Sequence, residues 1–189
     1  MKPTLYVMVK VPRPGRVKTR LGRGIGKIQA TWWFRWQVVR LLRRLRDPRW
    51  DLVLAVAPDC EGLESRVWPG DLPRVPQGSG NLGDRMTRLF RGSPPGPAVI
   101  VGADIPGITR SHIARALSAF GRAEAVFGPA PDGGYWLIGL RHPTHLRPGA
   151  LDGVRWSTAT ALADTMACLR PKSIHLIDSL KDVDTVADL

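Results

Sequence analysis

The chain has 189 residues, which is enough for one domain, and we expect a single domain over residues 1–189. With 43% hydrophobic and 23% charged residues, its composition excludes a disordered or fibrous protein. It contains no long apolar run and no signal-peptide pattern, so we expect a cytoplasmic protein without a membrane span. Cys60 and Cys168 lie far apart, which indicates neither a disulfide framework nor a zinc site.

The formal net charge of +12 is distributed unevenly. Residues 1–50 hold 14 Lys and Arg with one acidic residue, Asp47, whereas the remaining residues hold 14 Lys and Arg with 15 acidic residues. A nucleic-acid-binding surface would extend further along the chain. We therefore expect a local site for an anionic small molecule and one basic helix, with no nucleic-acid partner.

Apolar runs alternate with helical patterns along the chain. Strands are predicted at Leu5–Val11, Leu52–Ala57, Ala98–Val101, Ala123–Phe127, Tyr135–Leu140 and Ser173–Ile177. Helices are predicted near Lys27–Arg46, Asn81–Phe90, Ser111–Phe120 and Thr158–Leu169. This alternation predicts an α/β fold, with a mostly parallel sheet covered by helices on both faces. Ligands of such sheets bind beyond the carboxyl ends of the strands.

A basic loop follows the first predicted strand. Its sequence is Lys10-Val-Pro-Arg-Pro-Gly-Arg-Val-Lys-Thr-Arg-Leu-Gly22, with cations at Lys10, Arg13, Arg16, Lys18 and Arg20. Converging cations, backbone amides and a following helix start suit a diphosphate or triphosphate. The spacing matches neither a Walker A loop nor the dinucleotide-binding glycine pattern. We interpret the loop as a phosphate site; the alternative is a solvated basic loop.

Carboxylates that could bind a metal occur in two places. Asp104 follows the apolar run Val99–Val101, and Asp178, Asp182 and Asp184 lie in the last segment of the chain. A carboxylate beside a phosphate site suits Mg²⁺, which binds through one or two acidic side chains and substrate phosphates. Alternatively, Asp104 caps a turn, and the later aspartates cap the last helical turn, Thr185–Leu189.

The segment Pro131-Asp132-Gly-Gly-Tyr135-Trp136 precedes another predicted strand. Its glycines would let the backbone approach a ligand closely, but Asp-Gly is also a strong signal for a hairpin turn. The sequence leaves both interpretations open. Further along, Ser157 of Trp156-Ser-Thr158 is predicted as a helix N-cap, and Trp156 could form the wall of a pocket.

The basic helix predicted near Lys27–Arg46 carries tryptophans at 32, 33 and 36. Helical spacing places Ala30, Phe34, Val38, Leu41, Leu42 and Leu45 on a face that should pack on the sheet. Trp33 and Trp36 fall among Arg40, Arg43 and Arg44 on the opposite side. This pattern indicates either surface cation–π packing or a partner surface, which would be a second copy of the chain or an anionic membrane.

Taken in order, these motifs resemble a bacterial family of uncharacterised proteins with the glycosyltransferase-A, or nucleotide-diphospho-sugar transferase, fold. Some members are described as arsenosugar-biosynthesis-type glycosyltransferases, and phospholactate guanylyltransferases and molybdenum-cofactor nucleotidyltransferases are more distantly similar. The motifs are the Lys10–Leu21 loop, Gln77…Asn81-Leu-Gly-Asp, Gly102-x-Asp104-x-Pro, Gly128-Pro-x-x-Asp132-Gly-Gly-Tyr, Trp156-Ser-Thr and Asp182-x-Asp184-Thr. The resemblance covers nearly the whole chain.

The resemblance implies a metal-dependent transferase that uses an activated nucleotide. It implies nucleotide-binding residues at Lys10, Pro12, Gly15, Arg16, Lys18, Thr19, Arg20, Gln77, Gly102 and Asp104. It implies acceptor or sugar contacts at Asp132, Gly133, Gly134, Tyr135 and Trp156, and Mg²⁺ or Mn²⁺ at Asp104 and Asp184. Lys18, Arg20 and Asp104 would stabilise the charge that develops on the leaving group.

Three functions remain open on the sequence. Sugar transfer from a nucleotide sugar is favoured, because the most similar family has members with that description. Nucleotidyl transfer, with release of pyrophosphate from a nucleoside triphosphate, is the alternative. A non-catalytic nucleotide-binding protein is the third, because the four histidines lie outside the candidate segments and no strong general base stands out.

Overall fold

A mixed sheet of seven strands runs through the computed structural model, which describes residues 1–189. The strands are β1 (Thr4–Lys10), β2 (Asp51–Ala57), β3 (Arg74–Pro76), β4 (Ala98–Gly102), β5 (Ala125–Pro129), β6 (Tyr135–Leu140) and β7 (Ile174–Leu176). Their spatial order is β3-β2-β1-β4-β6-β5-β7. Only β6 runs antiparallel to its neighbours, so the predicted mostly parallel sheet is confirmed.

Six α-helices connect the strands. They are α1 (Thr19–Ile25), α2 (Lys27–Leu45), α3 (Asp59–Glu64), α4 (Leu82–Arg91), α5 (Arg110–Ala119) and α6 (Ala161–Leu169). Two 3₁₀ turns are formed at Pro143–His145 and Val186–Asp188. None of the helices combines the length and the hydropathy that crossing a bilayer requires. Hydrophobic periodicity did not predict β3, α1 and α3, because elements of three to seven residues show too little of it.

Both faces of the sheet are covered. Along β1, Leu5, Val7 and Val9 pack into the larger apolar cluster, whereas Tyr6 belongs to a second cluster on the other face. The larger cluster also contains the inner face of α2, and the second contains residues of α4 such as Phe90. Alternate side chains of a strand point to opposite faces, which explains why β1 is apolar along its length.

Helix α2 lies on the sheet through the face predicted from its spacing. The six apolar residues of that face, from Ala30 to Leu45, are all buried. The prediction for two other residues is wrong. Trp33 is half-buried and packs against the core, and Arg44 donates hydrogen bonds to the carbonyls of Pro106 and Ile108 at 2.5 and 2.9 Å. The helix is turned so that its flank, as well as its inner face, contacts neighbouring elements.

Candidate active site

A cavity of about 370 Å³ lies at the carboxyl ends of β1 and β4. Residues from the loop after β1 form one wall, and the end of β4 forms another. The predicted nucleotide-binding residues that line it are Lys10, Arg16, Lys18, Thr19, Arg20, Gln77, Gly102 and Asp104. Four cationic side chains and the carboxylates of Asp104 and Asp184 line the cavity, so the cations outnumber the acidic groups.

Lys18 is the centre of a charged cluster beside this cavity. Its Nζ lies 2.7 Å from Asp104 Oδ2, 2.8 Å from Asp184 Oδ1 and 4.0 Å from Asp182 Oδ2. The lysine side chain is only 5% exposed, while the three aspartates are partly open to solvent. Arg20 Nη1 adds a contact to Asp184 Oδ2 at 3.1 Å. The cluster therefore binds a positive charge among three carboxylates at the edge of the cavity.

Burial and charge act in opposite directions on this cluster. Burial by itself would lower the pKa of Lys18, but the charges and hydrogen bonds of Asp104 and Asp184 outweigh it and raise the pKa. Burial also opposes ionisation of Asp184, yet its contacts with Lys18 and Arg20 lower the pKa of this carboxyl group. For Asp182, burial and the charges of Asp184 and Asp104 raise the pKa.

The C-terminal segment brings Asp182 and Asp184 to the end of β4. The amide of Val183 donates to the carbonyl of Asp104 at 3.3 Å, and the Val183 side chain is buried against Leu21 of α1. The carboxylate oxygens of Asp104, Asp182 and Asp184 consequently all lie within 4.8 Å of one another. Thr185 and Asp188 cap the last turn. The alternative interpretation, in which Asp184 caps this turn, is therefore wrong.

A second cavity, of about 200 Å³, opens on the other side of Asp104. It shares Gly102 and Asp104 with the first cavity. Its wall is largely aromatic and apolar, with Tyr135, Trp136 and Trp156 among the lining residues. Three carboxylates line it, from Asp104, Asp132 and Asp182, and no lysine, arginine or histidine does.

The turn between β5 and β6 forms part of this second cavity. Ala130 donates a backbone hydrogen bond to the Gly134 carbonyl, so the segment is a hairpin turn. Its residues Asp132, Gly134 and Tyr135 line the cavity as well, so the two interpretations of the sequence are compatible. The hydroxyl of Tyr135 bonds to Thr165 Oγ1 at 3.3 Å, and burial raises the pKa of Tyr135.

Four of the predicted residues lie away from the two cavities. Arg13 forms an ion pair with Glu61, at 2.5 Å between Nε and Oε1. Pro12 lines a separate groove beside Trp32. Gly15 and Gly133 shape turns with φ of +78° and +83°, and neither lines a cavity. Positive φ explains glycine at both positions without any contact to a ligand.

Gln77 lines the first cavity, but its amide group is already engaged. Its Nε2 donates to the carbonyls of Val9 and Ala55 at 3.1 and 2.8 Å, which ties β1 to β2. Its Oε1 accepts from Arg85 at 3.4 Å. The side chain is 5% exposed, so it supports the floor of the cavity.

Asp182 was among the candidate carboxylates but outside the predicted metal-binding pair, and Trp136 was not predicted to line a cavity. The spacing Asp182-x-Asp184 was a signal for the first, since alternate residues of an extended segment face the same side. Trp136 is buried, and its Nε1 donates to the Asp178 carbonyl at 3.0 Å, a contact between distant parts of the chain that no local pattern indicates. Ser157 is not the N-cap of α6, which begins four residues later at Ala161.

Comparison with known proteins identifies relatives over the whole chain. The family model described as "Uncharacterized protein conserved in bacteria (DUF2064)" matches residues 41–158. A protein from Desulfovibrio desulfuricans G20, provisionally described as a nucleotide-diphospho-sugar transferase, is 31% identical. Its structure matches 100% of this chain and 85% of its own length, with a TM-score of 0.86. No curated protein matches the chain in sequence.

Two further solved structures share the fold at low identity. The 4-diphosphocytidyl-2C-methyl-D-erythritol synthase of Anaerococcus prevotii DSM 20548 is 10% identical, with a TM-score of 0.63 over 98% of this chain and 94% of its own. Rv0371c of Mycobacterium tuberculosis H37Rv, solved as a complex with manganese, is 15% identical, with a TM-score of 0.60 over 100% of this chain and 95% of its own. The predicted nucleotide-diphospho-sugar transferase fold is confirmed.

Proposed function

The chain belongs to the bacterial DUF2064 family, and we propose that it is a divalent-metal-dependent transferase that uses an activated nucleotide. The observation that carries the proposal is the pair of cavities that meet at Asp104. Four cations and two carboxylates line the first cavity, whereas aromatic rings and three carboxylates line the second, which has no cation. The phosphates of a donor would bind in the first cavity and an acceptor without phosphates in the second. The reacting groups would then meet near Asp104, which both cavities share. One sheet carries both cavities, so we propose that residues 1–189 act as one domain.

The first cavity is proposed to bind the nucleotide phosphates. Four cations approach it from the end of β1, the loop that follows and the start of α1: Lys10, Arg16, Lys18 and Arg20. Charge-assisted hydrogen bonds from such groups are stronger than neutral ones and stabilise the negative charge of a leaving diphosphate.

The three clustered carboxylates are proposed to hold the divalent cation. Oxygen ligands are what Mg²⁺ and Mn²⁺ prefer, and Asp104, Asp182 and Asp184 offer them within 4.8 Å of one another. The ammonium of Lys18 already lies between two of these groups, which indicates that the cluster is built to hold positive charge. A bound cation would supply charge neutralisation beside the phosphates. Rv0371c, which shares the fold, was solved with manganese.

The second cavity favours sugar transfer to an acceptor that carries no phosphate. Nucleotidyl transfer to a phosphorylated acceptor would place that phosphate among Asp104, Asp132 and Asp182, with no cationic side chain to receive it. A neutral hydroxyl compound would instead stack on Trp156 and hydrogen-bond to a carboxylate. Asp132 is the one carboxylate of this cavity outside the cluster, and we assign it the removal of the acceptor proton.

Nucleotidyl transfer is the second candidate. The first cavity has enough cations for a triphosphate, and the fold is shared with 4-diphosphocytidyl-2C-methyl-D-erythritol synthase. For this reaction a phosphate group of the acceptor would attack the nucleoside triphosphate, and the product released would be pyrophosphate. The nature of the leaving group therefore separates the two candidates.

The proposal is tested by product analysis. The protein is incubated with Mn²⁺, nucleotide sugars or nucleoside triphosphates, and a panel of neutral and phosphorylated acceptors. We expect acceptor-dependent release of a nucleoside diphosphate from a nucleotide sugar, abolished in Asp104→Asn and retained in the distant surface variant Glu64→Gln. Release of pyrophosphate would support the second candidate. Binding of nucleotides without any turnover across the panel would contradict both and support a non-catalytic nucleotide-binding protein.

A further inference from the structure

The outward side of α2 exposes large apolar side chains among arginines. Ile28, Trp32 and Trp36 are 61%, 61% and 58% exposed, and they follow one another at intervals of four residues along the helix. Residues four apart are neighbours on a helix surface, so these three side chains form one stripe. We define the α2 outer face as this stripe together with the exposed arginines beside it, Arg35, Arg40 and Arg43.

The burial pattern shows that this stripe is not needed for packing. The inner side of α2, which includes Phe34, Val38 and Leu41, is buried on the sheet. Trp33, the remaining tryptophan of the helix, already packs against the core from the flank. An exposed tryptophan is unusual, and two on one helix face mark an interaction surface more often than an accident of packing.

The charge of the face identifies its partner. Helix α2, Lys27–Leu45, contains no acidic residue, and residues 1–50 carry a net charge of +13. Arg35 and Arg40 lie over the rings of Trp32 and Trp36, at 5.3 and 4.3 Å from the ring centroids. Their guanidinium groups therefore sit at the level of the rings and would reach an anionic plane together with them.

We propose that the α2 outer face binds the surface of an anionic lipid bilayer. Tryptophan is favoured at the headgroup level of membranes, and arginine on the same face attracts anionic lipids. Each basic residue close to such a surface strengthens binding roughly fivefold. The face is the convex outer side of a helix, which suits a plane of lipid headgroups better than a protein partner that would need a matching groove.

A second copy of the chain fits this face less well. In a symmetric dimer the same face packs on itself, so the arginines of both copies would be brought together. Because α2 has no acidic residue, the partner helix could not neutralise them. The proposal is independent of the proposed transferase activity, because none of the six residues of the α2 outer face lines the first or the second cavity.

The face also adjoins the site. Trp32 and Arg35 line a groove of about 340 Å³ together with Pro12, Arg13 and Pro14 of the loop after β1. That loop continues into the residues that form the first cavity. Contact of the α2 outer face with a bilayer would therefore bring the nucleotide cavity close to the membrane surface.

Vesicle sedimentation tests the proposal with the full chain. Phosphatidylcholine vesicles with and without phosphatidylglycerol, at a ratio of about 3:1, are mixed with protein in about 0.05 M salt, where charges are weakly screened. We expect the protein to sediment with the anionic vesicles only, and to be released in about 0.5 M salt. Failure to sediment with anionic vesicles at low salt would overturn the proposal.

Three double variants, one of them a control, then locate the contact. The double variant Trp32→Gln/Trp36→Gln removes both exposed rings. Because two side chains that insert at the interface are lost, we expect partition of the protein onto anionic vesicles to fall at least about tenfold. Arg35→Gln with Arg40→Gln should cause a larger loss than the matched pair Arg122→Gln with Arg141→Gln, which removes equal charge from exposed arginines elsewhere. Circular dichroism checks that every variant is folded.

Three results would contradict the assignment to this face. The first is that the tryptophan double variant sediments with anionic vesicles as well as the parent. The second is that both arginine double variants lose the same share of vesicle binding, which would indicate that the overall charge of the protein, and not this face, attracts the vesicles. Alternatively, light scattering would show a dimeric parent and a monomeric tryptophan variant, which would assign the face to a second copy of the chain.

Discussion

Lys18 is the residue on which the geometry of the candidate site depends most. Its backbone has φ of 45° and ψ of 49°, the left-handed conformation that a residue with a side chain adopts at a cost of about 1–2 kcal/mol. The same turn directs its ammonium between Asp104 and Asp184. These ion pairs offset the backbone strain, so the lysine stabilises a cluster of carboxylates that would otherwise repel one another.

Replacing Lys18 should have opposite effects on two ligands. In Lys18→Met, nucleoside diphosphate should bind at least about tenfold more weakly, because one charge-assisted phosphate contact is lost, whereas the nucleoside alone should bind unchanged. Mn²⁺ without nucleotide should bind more tightly, because the competing ammonium no longer lies among the three aspartates. Titration calorimetry measures both, with exposed Lys172→Met as the control. Equal weakening of the nucleoside and its diphosphate would assign Lys18 a structural role.

The hairpin between β5 and β6 connects the second cavity to α6. Gly133, at the tip, has φ of +83°, and a Cβ placed there would lie 2.0 Å from the Ala159 carbonyl oxygen. Its own carbonyl accepts a hydrogen bond from Leu162 at the start of α6. This close approach holds the hairpin against the loop that carries Trp156, so the shape of the cavity depends on the absence of a side chain at Gly133.

Gly133→Ala should therefore be destabilising. Left-handed strain and the displaced backbone of Ala159 together should lower the free energy of unfolding by about 2–4 kcal/mol. The control is Gly70→Ala, where a Cβ meets no atom within 4 Å and φ is not positive. Urea denaturation followed by circular dichroism measures both variants. If the two variants were equally stable, the hairpin would not depend on its contact with Ala159.

At the scale of the whole molecule, the two sides of the site differ in charge. Four basic residues of the first 50 positions and two carboxylates line the first cavity. The second is lined by three carboxylates, from the end of β4, the hairpin and the C-terminal segment, and by no basic residue. The parts of the chain that meet at the site are more than 160 residues apart in sequence, as the Lys18–Asp184 contact shows. Binding at the site should consequently stabilise the fold as a whole, because it joins both ends of the chain.

Thermal denaturation should show this coupling. At about a hundredfold excess over the dissociation constant, Mn²⁺ with a nucleoside diphosphate should raise the melting temperature by about 5–10 °C. The shift should exceed the sum of the shifts for each ligand alone, since the cation and the phosphates neutralise each other. Chelation of the metal should reduce the shift in melting temperature to that of the nucleotide alone. A strictly additive response would show that the metal and the nucleotide bind at separate places.

Much of the site was predictable because its residues follow strands. Asp104 after β4 and the cations after β1 were located by local patterns, since the carboxyl ends of parallel strands share one edge of the sheet. Asp182 was recognised as a candidate metal ligand but was not included in the predicted pair of Asp104 and Asp184. Only the contact of Val183 with Asp104 shows that both aspartates of the C-terminal segment reach the end of β4. The partners of Arg13 and of Gln77 depend on α3 and β2, and the structure alone identifies them.

The fold class, the inner face of α2 and the basic loop follow from the amino-acid sequence, since each depends on residues close together along the chain. Three features come from tertiary packing: β6 runs antiparallel, Trp33 packs inward while Trp32 and Trp36 stay exposed, and two cavities of different charge meet at Asp104. The physical reason is that periodicity reports which side of an element is buried. Which distant element covers that side, and at what angle, follows from packing that brings residues such as Lys18 and Asp184 into contact.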